Sequence, residues 1–437
     1  MTFRQAEEYL LGLELFGMRF GLDRMHKLMT VLGLPQRRFA SIHVVGTNGK
    51  SSTVRFCAAI LARHGLRVGS YTSPHLGSFR ERIDVGEEPV SEADFAAAVQ
   101  RAAHAAELVN RTQEPDDGVT QFEALTAASY HELARRGVEV AVIEAGLGGR
   151  FDATNVIPSK VQVLTSVGLE HTRWLGPTLT DIAEEKLAVV REHGTLVVGD
   201  LQHDAFAVAQ RTAAERRARL VTTRTSPHPS TSKFAGPGDL GITLRAHGRF
   251  QRRNFTLAAA AAEAFLGRPL DRAAVERAGA EIRIPGRLDV VGERPLTVYD
   301  GAHNPEGARA LADSLDDVLG ERHPRVAVIG VLEDKDAAGM LQALLPHLDR
   351  AIFTRSSNPR SLPPATLATL AEKVGGRSNR PAADGTVLRA ETVADPRAAV
   401  ERARMLAGPG GAVLATGSIY LVADLVWETP SARASTL

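Results

Sequence analysis

With a single cysteine, Cys57, in 437 residues, the chain cannot carry an intramolecular disulfide, and its lone thiol fits a reducing cytoplasm. Charge of one sign is missing as well. The 52 Lys and Arg stand against 51 Asp and Glu, which excludes a global basic field for nucleic acid or a membrane surface. No run approaches the ~18 apolar residues of a membrane span. The opening "MTFRQAEEYLLGLELF" carries early charges and lacks the layout of a secretion signal. Short-period repeats and low-complexity tracts are absent too. What is there is an ordinary globular composition, 44% apolar and 24% charged. Its length suits about two or three domains. The expectation is a cytoplasmic, multidomain protein without nucleic-acid or membrane partners.

Short apolar runs alternate with longer helical patterns. "SIHVVG" precedes "SSTVRFCAAILARHG", and "TQFEALTAASYHELARRG" precedes "VEVAVIEAG" and "KVQVLTSVG". Such alternation predicts βα units and a mainly parallel sheet. Cys57 falls on the buried face of the first of these helices. Residues 194–250 read as less regular, with "RTSPHPSTSKFAGPGDLG" a loop by its Pro, Ser and Gly content. "RIPGRLDVVGERP" breaks the pattern, and "LTVYDG", "RVAVIGVL", "RAIFTRSS" and "AVLATGS" restart it. Two α/β domains are therefore expected, 1–285 and 296–437, joined by a linker over 286–295.

The loop "HVVGTNGKSST" ends like a phosphate-binding loop but is two residues short, because only Thr47 and Asn48 separate Gly46 from Gly49. A Gly-rich turn from a buried strand into a helix aims backbone N–H groups at one spot. Lys50 adds a positive charge there, and Ser51 or Ser52 a hydroxyl. A plain strand-to-helix turn is the other reading. Glu144 ends the apolar strand "VEVAVIEAG", where a carboxylate suits Mg²⁺ beside a triphosphate. In "SYTSPHLGSFRERI", Ser73 offers a metal-ligating oxygen, and Arg80 and Arg82 offer charge to an anionic substrate. "TSPH" recurs at Thr225–His228 without a preceding strand, so only its context at 72–75 carries weight. His171 follows another strand, where an imidazole suits a metal site. Lys186 shares a helical stripe with Ile182, Val189 and Val190, an unfavourable place for a cation unless it snorkels or has a specific task. Asp300, His303 and Asn304 in "YDGAHNP", and Glu333–Asp336 in "VLEDKD", follow strands of the second half. A cleft between the halves would bring them opposite the phosphate loop.

Taken in order, "GTNGKSS", "YTSPHL…FRERI", "TQFE", "EAGLGGRFDATN", "HTRWLGPT", "EEK", "RRN", "PGR" and "DGAHN" resemble the folylpolyglutamate and dihydrofolate synthases of the Mur ligase superfamily, from about residue 15 to residue 425. The resemblance implies an N-terminal P-loop ATPase-like domain and a C-terminal Rossmann-like glutamate ligase domain. It implies a monomeric ATP-dependent ligase that adds L-glutamate to dihydropteroate, to a reduced folate, or to both. ATP would be held by Thr47, Asn48, Gly49, Lys50, Ser51 and Ser52, with Asn254, Arg287 and Asp300. Ser73, Glu144 and His171 would serve Mg²⁺. Lys186 matches a lysine that family members carbamylate, helping to hold a second Mg²⁺. Lys50, Lys186 and His303 match catalytic positions. Thr120, Gln121, Phe122, Glu123, Phe151, Asp152 and Ala153, with "FGLDRM", match stretches that border the pterin, and Arg82 matches a substrate contact.

The implied chemistry is transfer of the ATP γ-phosphoryl group to a carboxylate, then attack of the glutamate amine on the acyl phosphate. This sequence departs from the family at Ser51, where glycine is usual, at Glu170, where aspartate is usual, and at Leu187, where a small residue is usual. "PGRLD" also replaces "PGRLE". Two other readings are another Mur-type amino-acid ligase and a nucleotide-binding regulatory protein without catalysis. The first lacks its separate UDP-binding domain here, and the intact Lys50, Glu144, His171 and Lys186 weigh against the second.

Overall fold

The computed structural model describes residues 1–13, 21–114, 117–223, 241–375 and 389–427. Thr225–His228, Phe20 of "FGLDRM" and nearly all of the Pro- and Ser-rich segment lie outside the described residues. Among the described residues the strands form two sheets. The first contains β1 (Ala40–Val45), β2 (Val68–Tyr71), β3 (Ile83–Val85), β4 (Glu88–Pro89), β5 (Val140–Glu144), β6 (Val161–Leu164), β7 (Thr195–Val198) and β8 (Arg219–Thr222). Its order is β4-β3-β2-β5-β1-β6-β7-β8, parallel except for β3 and β4. Central strands covered on both faces are mostly apolar, as β1 and β5 are, with Ser41 and His43 buried within β1 and Glu144 closing β5.

From β1 the chain crosses to β2 on one side, and from β5 it crosses back over β1 to β6 on the other. Loops after β1, β5 and β6 therefore part at the C-terminal edge and open a crevice there. Those three loops carry Thr47–Lys50, Leu147–Asp152 and Thr165–His171.

The region 194–250 is more regular than its sequence suggests. β7, a helix over His203–Glu215 and β8 extend the sheet. β7 and β8 have four residues each, and β8 is only partly buried, so neither leaves a strong hydrophobic pattern.

One face of the sheet is covered by the helices Lys50–Arg63 and Arg249–Leu266. Ala258 to Ala262 are all buried, and their small side chains let the helices approach closely. Phe56 and Phe255 meet edge to face at 5.2 Å, a geometry worth about 1 kcal/mol beyond burial. Cys57 sits fully buried in this layer, and burial pushes its thiol pKa up. The start of helix Arg249–Leu266 also touches the second half of the chain. Arg249 N–H donates to Ser314 Oγ at 3.1 Å, and its Nε to Asp317 Oδ2 at 3.0 Å.

The second sheet contains β9 (Asp289–Glu293), β10 (Leu296–Tyr299), β11 (Arg325–Ile329), β12 (Arg350–Phe353), β13 (Arg389–Thr392) and β14 (Ala412–Thr416). Its order is β13-β12-β11-β14-β10-β9, parallel except at β9. The segment 286–295 is thus more than a connection, since β9 lies within it and pairs with β10. Both halves are α/β with mostly parallel sheets, as the alternation predicts. Among the described residues no helix is long and apolar enough to cross a membrane.

Candidate active site between the two halves

The short glycine loop turns tightly into the helix Lys50–Arg63. Gly46 and Gly49 have φ of 148° and 87°, values that side chains rarely adopt. A Cβ on Gly46 would stand 1.9 Å from Thr165 Oγ1, and one on Gly49 2.5 Å from Asn254 Oδ1. Asn48 N–H donates to Ser166 Oγ at 2.9 Å, and no side chain caps the helix at Gly49. The helix N-terminus therefore keeps backbone donors for an anion. Lys50 Nζ folds back onto the carbonyls of Gly46 (3.1 Å) and Thr47 (3.2 Å), poised above the turn.

Behind this turn Glu144 is buried at the end of β5. Ser51 Oγ donates to its Oε1 at 2.9 Å, and Ser73 N–H to its Oε2 at 3.0 Å. Burial raises the Glu144 pKa, against the pull of Lys50, these two donors and Arg287. Lys186, on the helix Leu179–Leu187, is buried rather than snorkelling. Its Nζ donates to Gly46 O and Leu147 O, each at 3.1 Å. Burial first, and then the charge of Lys50, lower its pKa to about 7. Gly149 permits this approach, because a Cβ there would stand 2.4 Å from Glu185 O and 2.5 Å from Lys186 O. The His171 pKa is lowered to about 4, first by desolvation although 36% of the side chain is exposed, with Lys335, Lys186 and Lys50 opposing Glu170. A neutral imidazole is the form that ligates a metal.

Glu170 ties the two halves together. Its Oε1 lies 2.8 Å from Lys335 Nζ and 3.3 Å from His303 Nε2, and its Oε2 accepts from Asn304 Nδ2 at 3.1 Å. Burial would raise its pKa, but His303, Lys335 and His171 outweigh that and hold it well below the usual carboxylate value. Beside it Asn48 and Asn304 exchange side-chain hydrogen bonds at 3.3 and 3.0 Å, and Asn48 Nδ2 reaches Glu306 at 3.2 Å. The phosphate-type turn of one sheet thus faces the loops after β10 and β11 of the other. Asp300, at the end of β10, accepts from Ala302 N–H (2.8 Å) and Leu288 N–H (2.9 Å), and burial raises its pKa despite Arg287. His303 Nδ1 lies 2.9 Å from Gly301 O. All these loops enclose one cavity of about 1470 Å³.

A sequence model described as "Mur ligase, glutamate ligase domain" matches residues 286–419. The dihydrofolate synthase/folylpolyglutamate synthase of Mycobacterium tuberculosis is 36% identical over 381 residues, covering 80% of this chain and 77% of that protein. The chain belongs to the folylpolyglutamate/dihydrofolate synthase family. The Lacticaseibacillus casei folylpolyglutamate synthase is 35% identical over 366 residues, covering 80% of this chain and 84% of that one. Among solved structures, M. tuberculosis folylpolyglutamate synthase complexed with ADP superposes with a TM-score of 0.86 at 32% identity, over 97% of both chains. E. coli FolC in complex with DHPP and ADP gives 0.82 at 27% identity, over 98% of this chain and 97% of that one.

Most residues singled out from the sequence line this one cavity of the synthase-family chain: Thr47–Ser52, Ser73, Thr120, Phe122, Glu123, Glu144, Phe151, Asp152, Ala153, His171, Lys186, Asn254, Arg287, Asp300 and His303. Two do not. Gln121 turns away, and its Nε2 donates to Leu10 O at 2.8 Å, bracing the N-terminal helix. Arg82, expected as a substrate contact, lies behind the wall. It is buried, its Nε donates to His75 Nδ1 at 3.0 Å, and its guanidinium lies 5.3 Å from the Phe79 ring centroid. Arg80 likewise lies off the cavity and reaches Val90 O. Glu123, though at the wall, closes the capping box with Thr120 and pairs with Arg24 at 3.1 Å. Sequence reasoning gave no role to Glu170 or Asn48 as bridges, nor to Lys335 as a partner, because their contacts form only when the two halves meet. It did mark Ser51, and the geometry supplies that hydroxyl with a partner, Glu144.

The donor set fits Mg²⁺. Among the described residues no group of three His, Cys, Asp or Glu is spaced to hold a metal unaided. One buried carboxylate beside a helix N-terminus is nevertheless what Mg²⁺ uses when phosphates and water fill its remaining positions.

Proposed function

We propose that this chain is an ATP-dependent ligase that joins the amine of L-glutamate to the carboxylate of a pterin substrate, making dihydrofolate from dihydropteroate and lengthening the glutamyl tail of reduced folates. One observation carries the reading. An anion-binding turn backed by Glu144 and Lys186 faces Glu170, His303 and Lys335 across a single cavity. Residues 1–285 would bind ATP and pterin, and the part from 296 onward glutamate. We place the enzyme in the cytoplasm as a monomer, where its one buried thiol stays reduced.

In this scheme the helix N-terminus at Gly49 and Lys50 hold the phosphates and stabilise the charge spread over the γ-phosphoryl group in flight. Asn254, Arg287 and Asp300 hold the rest of the nucleotide. Glu144, with Ser73 and His171, would hold Mg²⁺, which supplies charge neutralisation between the phosphates. The acceptor carboxylate takes the γ-phosphoryl group as its bond to ADP breaks and ADP leaves. The neutral glutamate amine then attacks the acyl carbon, the C–O bond to phosphate breaks, and the nitrogen gives up one proton as phosphate departs. Phe122, Phe151 and Ala153 give the pterin an apolar wall, with Asp152 beside them. His303, tethered by Glu170, stands at the face from which glutamate approaches. Asn48–Asn304 and Glu170–Lys335 hold the halves together so that water is kept from the acyl phosphate.

Lys186 in its neutral form suits attack on CO₂, forming the N–C bond of a carbamate and releasing one proton. The product carboxylate would serve a second Mg²⁺. The carbon-13 spectrum of protein equilibrated with labelled bicarbonate tests this directly, since a carbamate resonance must appear and must vanish in Lys186→Ala. The function is tested by phosphate release with ATP, Mg²⁺ and glutamate, comparing dihydropteroate with tetrahydrofolate. No acceptor-dependent release with either would refute it.

A further inference from the structure

The wall segment between the two reacting ends of the cavity carries unusual exposure. Leu169 is 63% exposed and Trp174 37%, and both line the cavity, as does the 42% exposed Phe151. Arg173 and Trp174 sit on the short helix Thr172–Leu175. Leu175 anchors it in a core cluster with Ala145 and Ile182. At its other end stand Glu170 and His171, held at the meeting of the halves. Arg173 and Trp174 are therefore presented to the cavity from a fixed base, with the guanidinium 5.2 Å from the indole centroid. Stacking of this kind pre-organises a cation at modest desolvation cost.

Of the other lining cations, Arg24 pairs with Glu123, Lys335 with Glu170 and Arg360 with Asp334, while Lys50 and Lys186 donate to carbonyls at the phosphate turn. Arg252, Arg253 and Arg287 lie in the segments that carry the nucleotide residues Asn254 and Arg287 of the scheme above. Arg173 makes no ion pair among the described residues. An acceptor chemistry matches this. Dihydropteroate has one carboxylate, and that one reacts. A folate already carrying glutamate keeps a second, non-reacting α-carboxylate, whose charge needs a partner within the cavity. The partner must lie close to the reacting end, and Arg173 is two residues from His171.

We infer that Arg173, stacked on Trp174, binds the non-reacting α-carboxylate of a glutamylated acceptor and thereby fits this chain to tail elongation. The inference rests on the ligase reading above and names the acceptor class that the same site favours.

Steady-state phosphate release decides it, with ATP, Mg²⁺ and glutamate and with tetrahydrofolate monoglutamate or dihydropteroate as acceptor. In Arg173→Ala the ratio of kcat/KM for the glutamylated acceptor to that for dihydropteroate should fall about tenfold or more, the usual effect of losing a charge-assisted hydrogen bond. Arg173→Glu should lower it further, and Trp174→Ala should lower it less than either. An unchanged ratio in both Arg173 variants overturns the inference. So does a wild-type enzyme that uses dihydropteroate but not the glutamylated folate. A wild type that uses neither acceptor refutes the ligase reading itself, a separate result.

Discussion

Replacing Glu170 with alanine should separate the two halves without unfolding either. Its carboxylate is the shared partner of Lys335 at 2.8 Å, His303 at 3.3 Å and Asn304 at 3.1 Å, and its side chain is only 10% exposed. Removing one member of a fully buried pair costs ~3–5 kcal/mol, because the other charge is left uncompensated. Here a little solvent reaches both partners, so about 2–3 kcal/mol is the expected loss, all of it charged to the closed arrangement. At about 1.4 kcal/mol per decade, that is roughly a 30- to 140-fold fall in the closed-to-open ratio. If catalysis needs closure, kcat should fall by a similar factor. KM for ATP should move much less, because the turn at Gly46–Lys50 belongs to one half. Small-angle X-ray scattering should show a larger radius of gyration, with the thermal unfolding of each half little changed. Glu170→Asp, shorter by one methylene, should fall between the two. A Glu170→Ala enzyme with kcat within twofold of the parent and unchanged scattering would refute the bridging argument.

Lys186→Ala should lose activity by at least about 100-fold, with partial recovery in added short carboxylates such as acetate; an unaffected rate excludes the carbamate. Ser51→Ala removes the hydroxyl from Glu144 Oε1, a hydrogen bond to a charged group worth ~1.5–3 kcal/mol, and should raise KM for ATP about tenfold with smaller change in kcat. Titration of ATP binding by calorimetry checks it. His43 is buried on β1, its Nε2 lies 2.8 Å from Thr154 Oγ1, and burial, with a smaller push from Arg191, lowers its pKa to about 3. The unfolded chain binds the proton near pH 6.5 and the native chain does not. Stability is therefore full above about 6.5 and is lost as pH falls toward 3, by at most about 5 kcal/mol from this group. Thermal melts between pH 4 and 7.5 should show a shallower acid limb for His43→Gln than for the parent, and parallel limbs would count against it.

Much of the fold was legible because buried parallel strands leave short, mainly apolar runs, as β1, β5 and β11 do. The same logic placed Glu144 and Asp300, since a polar residue closing such a run falls on the C-terminal edge of a sheet. β7 and β8 escaped notice because short, partly exposed strands carry no clear period. Lys186 was legible as an anomaly on an apolar stripe, although Val189 and Val190 lie past the helix end at Leu187. Arg82 was ambiguous, because a buried guanidinium and a substrate-binding one have the same sequence signature. Glu170 and Asn48 were beyond reach for a different reason. Their partners lie more than 100 residues away, on loops whose apposition no local pattern encodes.

The contact made by the start of helix Arg249–Leu266 has a mechanical meaning. That helix backs the phosphate turn from below, yet Arg249 grips Ser314 and Asp317 on the far half, and a Cβ on Gly248 would stand 2.6 Å from Leu288. The two halves are therefore joined twice over, by the covalent passage at 286–288 and by this grip, in addition to the rim contacts at Asn48, Glu170 and Lys335.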